Sequence, residues 1–152
     1  VGEASSAMES IKANGIFGIL PRLQKPTLGI CLGLQLMCRD SEENATQCFG
    51  IFDVAVRKFP PLAKVPQVGW NTLFDLKGDL FRDVAENSYV YFVHSYYAEL
   101  SEHTVAQTEY IIPYSAAMQK DNFFAVQFHP EKSGTVGLSI LKNFAELQGG
   151  KR

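Results

Sequence analysis

Apolar residues recur along the chain with two different periods, and the changes of period mark out its elements. Ala7, Met8, Ile11, Phe17 and Leu20 follow helical spacing behind Ser5 and Ser6, either of which suits a cap. This predicts a helix running toward Leu20, weakened in its second half by Gly15. Pro21 and Pro26 bracket a loop. Leu28, Gly29 and Ile30 then form a short run without alternation, as expected of a central parallel strand covered on both faces. Residues 32–39 read as a helix, closed by the polar loop Ser41-Glu42-Glu43-Asn44. Residues 51–59 alternate Ile51, Asp53, Ala55 and Arg57 against Phe52, Val54, Val56 and Lys58, which predicts a strand with one wet face. Pro60-Pro61 ends it. An extended stretch follows over 65–76. Tyr89-Val90-Tyr91-Phe92-Val93 is the strongest strand signal and runs directly into His94-Ser95-Tyr96. Residues 105–110, 116–119 and 123–128 are further strands. Residues 134–147 form an amphipathic helix carried by Val136, Ile140, Leu141, Phe144 and Leu147.

This order predicts an α/β layered domain with a central, mostly parallel sheet, spanning 1–152 as a single unit. At 152 residues with 46% apolar content, the chain can bury a substantial core. A net charge of −2 without a basic run argues against nucleic acid and against anionic membranes as partners. Three cysteines without a Cys-x-x-Cys pair fit neither a disulfide framework nor a zinc site, and point to a reducing, cytoplasmic setting. The chain opens at Val1-Gly2-Glu3 without methionine, so a longer parent chain is expected.

Chemistry concentrates at Gly29-Ile30-Cys31-Leu32-Gly33-Leu34-Gln35. A cysteine on a sharp strand-to-helix turn is pushed clear of the backbone, in the geometry of a nucleophile elbow, and the following helix N-terminus favours thiolate. Such a thiol needs a base. His103 sits in a polar turn and reads as surface. His94 ends an apolar strand, where a buried structural histidine is the better reading. His129 is followed by Pro130, which excludes a helix start, and by Glu131, a carboxylate placed to hold the imidazole's other N–H. Cys31, His129 and Glu131 therefore form a candidate nucleophile, base and orienter. Cys38 and Cys48 read as inert.

These two motifs, together with Val65-Pro66-Gln67-Val68-Gly69-Trp70-Asn71, Tyr91-Phe92-Val93-His94-Ser95-Tyr96 and Gln127-Phe128-His129-Pro130-Glu131-Lys132-Ser133-Gly134, resemble the class I, triad-type glutamine amidotransferases. The three longer stretches narrow the resemblance to glutaminase subunits of imidazole glycerol phosphate synthase. The resemblance implies a flavodoxin-like layered fold and hydrolysis of glutamine to glutamate and ammonia through a cysteine thioester. It implies substrate contacts from Gly2, Gln35, Glu43, Ser95 and Tyr96, with oxyanion donors at Val1 and Leu32. It also implies a (β/α)8-barrel cyclase partner facing Trp70, Asn71, Tyr91 and Lys132, and neither cofactor nor metal. For Trp70 a place in the core is the alternative.

The family begins with a βαββ segment that has no counterpart here, so impaired turnover and self-association are expected. The competing reading is an inactive fragment acting only as a binding module.

Overall fold

The computed structural model describes residues 3–147. It is an α/β layered domain built on one mixed, eight-stranded sheet, with a separate two-stranded ribbon beside it. The strands are β1 (Thr27–Ile30), β2 (Asp40–Ser41), β3 (Thr46–Gln47), β4 (Ala55–Lys58), β5 (Gln67–Thr72), β6 (Tyr89–His94), β7 (Tyr96–Ala98), β8 (Thr104–Tyr110), β9 (Ile112–Lys120) and β10 (Phe123–Val126). The α-helices are α1 (Ala4–Ala13), α2 (Leu32–Met37) and α3 (Gly134–Glu146).

The main sheet runs β1-β10-β9-β7-β4-β2-β3, with β8 paired to β9, while β5 and β6 form the antiparallel ribbon. The expectation of a mostly parallel sheet is corrected: among the described residues only β1–β10 and β2–β4 pair in parallel. The physical reason is connection length. The links from β8 to β9 and from β9 to β10 are tight turns, at Ile111 and at Asp121-Asn122, both with a left-handed residue, and tight turns join antiparallel neighbours. The strand β1 also lies at the end of the described sheet order instead of at its centre. Its unalternating run still has cover on both faces. Leu28 and Ile30 pack into the core of Phe92, Phe124, Phe128, Ile140 and Phe144, while Gly29 lies under α2.

Three other boundaries moved. The first helix stops at Ala13 because Gly15 takes a left-handed conformation (φ 72°), with Gly15 N–H donating to Lys12 O and Ile16 N–H to Ile11 O. Ser5 and Ser6 do not cap it; both hydroxyls donate to the Glu3 carboxylate. The strand expected over 51–59 shrinks to β4, since Ile51, Phe52 and Val54 are buried against α2 in a second core without pairing as a strand. The closing helix falls where its periodicity put it.

Candidate active site

The elbow is built by steric necessity. Cys31 sits at φ 55°, ψ −105°, a left-handed conformation that is strained for a residue with a Cβ, between the end of β1 and the start of α2. Its N–H donates to Val126 O at 2.8 Å, which extends the β1–β10 pairing one residue past the strand. Gly29 is what lets α2 fold back so closely. A Cβ there would lie 2.9 Å from both the carbonyl carbon and oxygen of Gly33 and 3.1 Å from the Met37 methyl. At Gly33 itself a Cβ would meet nothing, so of the two flanking glycines only Gly29 is needed for the close approach.

The Cys31 sulfur lies 3.8 Å from Val93 O and 3.7 Å from the Gln127 amide nitrogen. Burial pushes its thiol above the ordinary value, against the lowering effect of the Leu32 N–H. The helix start favours thiolate as expected, but desolvation outweighs it, and deprotonation requires a base.

His129, the base expected from the sequence, stands on the turn beyond β10. Pro130 holds His129 in an extended conformation (φ −99°, ψ 101°), and Pro130-Glu131-Lys132 forms a single 3-10 turn. His129 Nδ1 donates to the Glu131 carboxylate at 2.8 Å, while its Nε2 is buried and makes no hydrogen bond. Because the carboxylate can only accept, this fixes the tautomer with a free lone pair on Nε2. Burial raises the Glu131 carboxyl, but its own N–H, the His129 N–H and the Lys132 charge are among the effects that hold it below the ordinary range. Gln127, the first residue past β10, touches the sulfur, and His129 follows two residues on.

The turn is locked in place by Ser133 and Gly137. The Ser133 hydroxyl donates to His129 O at 2.6 Å and accepts the Tyr91 N–H at 3.0 Å, while His129 N–H donates to Tyr91 O at 3.0 Å. Gly137 on α3 lies against Pro130, where a Cβ would come 1.9 Å from the Pro130 carbonyl oxygen.

Cys31 opens into a cavity of about 270 Å³ lined also by Leu32, Gln35, Glu43, Val93, His94, Ser95 and Tyr96. The fold thus brings together every substrate-contact and oxyanion residue expected from the sequence that lies among those described. Val1 and Gly2 lie outside the described residues. His94 is structural as expected: it is buried, Nδ1 donates to Tyr96 O at 2.7 Å, and Nε2 faces the Tyr114 hydroxyl at 3.0 Å. Desolvation lowers it to about 4, so the ring is neutral.

A buried cysteine on an elbow, a carboxylate-oriented imidazole and a neighbouring polar cavity are parts of an acyl-transfer site. Residues 8–147 match the family described as glutamine amidotransferase class-I. The chain belongs to that family. It is similar to the imidazole glycerol phosphate synthase subunit HisH of Bacteroides fragilis, with 55% identity over 97% of this chain and 76% of the relative. The Escherichia coli K12 subunit HisH is 43% identical over the same shares. Among solved structures, a glutamine amidotransferase aligns with a TM-score of 0.71 at 17% identity, covering 97% of this chain and 76% of that one. The glutaminase domain of Trypanosoma brucei CTPS aligns at 0.54 with 16% identity, covering 91% and 63%. At those identities the likeness shows the fold alone.

In this amidotransferase the residues expected to face a partner are gathered on and beside the β5–β6 ribbon. Trp70 is 55% exposed and stacks edge-on against Tyr91 at 5.8 Å, so the core alternative for Trp70 is overturned. Asn71 is tied down by donating to Glu109 O at 2.9 Å, and Lys132 is exposed. Sequence reasoning missed Gln127, Ser133 and Gly137 as parts of the site. Gln127 carried a signal, since it is a polar residue inside the apolar run Phe123-Phe124-Ala125-Val126-Gln127-Phe128. Ser133 and Gly137 carried none of their own.

Proposed function

We propose that this amidotransferase hydrolyses glutamine with Cys31 as nucleophile, His129 as general base and acid, and Glu131 as orienter, and serves as the glutaminase subunit of an imidazole glycerol phosphate synthase. The observation that carries the reading is the buried, unpartnered His129 Nε2, with Nδ1 held by Glu131, on the turn that follows the strand bonded to the Cys31 N–H. His129 Nε2 takes the thiol proton and the sulfur attacks the side-chain amide carbon. The proton then passes to the departing nitrogen, which leaves as ammonia, and a γ-glutamyl thioester remains. Water, deprotonated by the same nitrogen, adds to the thioester, and glutamate leaves as the sulfur regains a proton.

The Leu32 N–H, one residue past the nucleophile, is the oxyanion donor this part of the chain supplies; a donor of this kind is typically worth ~3–4 kcal/mol of barrier. The cavity residues Glu43, Gln35, Ser95 and Tyr96 hold the amino-acid head. Both N–H groups of Gln35 are committed, to Tyr96 O and Gln127 Oε1 at 3.0 Å each, which leaves its carbonyl oxygen for an ammonium or amide donor. Glu43 spends one oxygen on Ala4 N–H at 2.8 Å and supplies the charge that pairs an α-ammonium. The ammonia passes to a (β/α)8-barrel cyclase docked on the Trp70, Asn71, Tyr91 and Lys132 face, in the route to histidine, in the cytoplasm. No helix among the described residues is long and apolar enough to cross a membrane.

The test is trapping with a glutamine-analogue electrophile followed by peptide mass spectrometry, alongside glutamate release with and without the cyclase subunit. Label on Cys31 that disappears in Cys31→Ser, together with glutamine-dependent cyclase turnover, is the expected result. A folded chain that neither labels nor supports the cyclase is a binding module, and the proposal then fails.

A further inference from the structure

Three buried side chains of the site form a hydrogen-bonded chain that the thioester mechanism does not use. It begins at the Tyr96 carbonyl, which can only accept. The Gln35 amide must therefore turn its NH2 toward that oxygen, at 3.0 Å. The same nitrogen lies 3.0 Å from the Gln127 amide, which must answer with its carbonyl oxygen. That leaves the Gln127 NH2 pointing the other way, at the Cys31 sulfur 3.7 Å off. Each amide orientation follows from the one before it, and the first is fixed by the backbone. Gln35 is 5% exposed and Gln127 not at all, so water does not compete for these bonds.

We propose that Gln127 takes part in the reaction by donating its amide N–H to the Cys31 sulfur, stabilising the thiolate and holding it in place for attack. The proposal rests on Cys31 being the nucleophile. In the resting thiol the sulfur's own hydrogen faces Val93 O at 3.8 Å, and that carbonyl repels the sulfur once the proton has gone. The Gln127 donor strengthens at the same moment, because a donor to an ionised acceptor is worth about twice one to a neutral acceptor. The amide thus favours the charged state inside a pocket whose burial opposes it. The ionisable groups around the sulfur are Glu131 on the turn past β10, to which His129 is bonded, and His94, Glu43 and Tyr96 in the cavity. Glu131 disfavours thiolate.

The measurement is the pH dependence of Cys31 carbamidomethylation by iodoacetamide, followed on the Cys31 peptide by mass spectrometry, so that Cys38 and Cys48 do not interfere. It needs no glutamine and reads the thiolate directly, so it stands or falls apart from the glutaminase reading. Gln127→Glu keeps the acceptor Gln35 uses and removes the donor facing the sulfur; Gln127→Leu removes both. Each is expected to move the alkylation midpoint to higher pH and to lower the rate at neutral pH about tenfold, with glutamine kcat falling and KM held. Circular dichroism establishes that each variant is folded. An unchanged midpoint in either folded variant overturns the proposal, and so does loss of fold in both, which would assign Gln127 to stability alone.

Discussion

Replacing Gly137 by alanine, on a helix that contributes no side chain to the cavity, tests whether α3 sets the position of His129, the proposed base. The added Cβ would lie 1.9 Å from the Pro130 carbonyl oxygen, 2.8 Å from its carbon and 2.9 Å from Ser133 Cβ. Ordinary contact begins near 3.4 Å, so the oxygen and the helix must part by about 1.5 Å. Neither side has a flexible end to move. Pro130 is the first residue of the turn that carries Glu131, and Ser133 is the residue whose hydroxyl ties His129 O to Tyr91 N–H. Overpacking against backbone costs about 1–3 kcal/mol, and in a domain of this size each kcal/mol lowers Tm by roughly 2–4 °C. A fall of about 5–10 °C is therefore expected. Catalysis loses more than stability suggests, since a 1 Å displacement of a reacting group can cost about a hundredfold. Scanning calorimetry with steady-state glutamate release reads both. The expected pattern is a kcat lower by about two decades with KM little changed, because the cavity is lined by Cys31, α2, Glu43, Pro66 and the β6–β7 corner and not by α3. A variant that melts within 2 °C of the parent and keeps its kcat would refute the claim that α3 positions the base.

Other outcomes follow from the same geometry. Glu131→Gln leaves an oxygen that can still meet His129 Nδ1 but no charge to balance the imidazolium, so kcat should fall about a hundredfold in the glutamate-release assay. His94 is buried neutral, its folded value depressed to about 4 from 6.5, so the unfolded chain binds the extra proton first as pH falls. Stability from this group is present above pH 6.5 and lost between 6.5 and 4, on the order of 3 kcal/mol; urea unfolding at several pH values should show that limb, and His94→Gln should flatten it. Cys38 and Cys48 are raised by burial, Cys48 to about 11, so above the unfolded thiol value near 8.5 the unfolded chain loses protons first. Urea midpoints should accordingly decline from pH 8.5 toward 11, and less steeply in Cys48→Ser.

What could be read in advance divides along physical lines. The elbow cysteine, the His129–Glu131 pair and the closing helix were legible because each depends on a few adjacent residues: a glycine spacing, a proline that forbids helix, a 3.6-residue period. Sheet order was not. Residues 27–30 look like a central parallel strand because both faces are apolar, yet a strand at the end of the order reads the same when a helix covers one face and a core the other. The first helix was overextended because Phe17 and Leu20 continue an apolar spacing beyond a glycine that stops the backbone; Phe17 is 39% exposed. Ser133 and Gly137 had no signature because their work is done across the fold, on Tyr91 and on Pro130.

The division also explains how the site is divided between two supports. Cys31, the proposed nucleophile, stands on a strained backbone held by one close helix crossing at Gly29, and His129, the proposed base, stands on a relaxed turn held by hydrogen bonds to β6 and by a close crossing at Gly137. Both crossings exclude a Cβ, so each half of the site is positioned by packing that leaves no slack. The strand β10 joins them: Val126 O accepts the Cys31 N–H, Gln127 reaches the sulfur, and His129 follows two residues on. A displacement of β10 relative to β1 would thus move the base and the sulfur donor together against the nucleophile. The parallel register Ile30–Val126 therefore sets the proposed base and the sulfur donor against the proposed nucleophile.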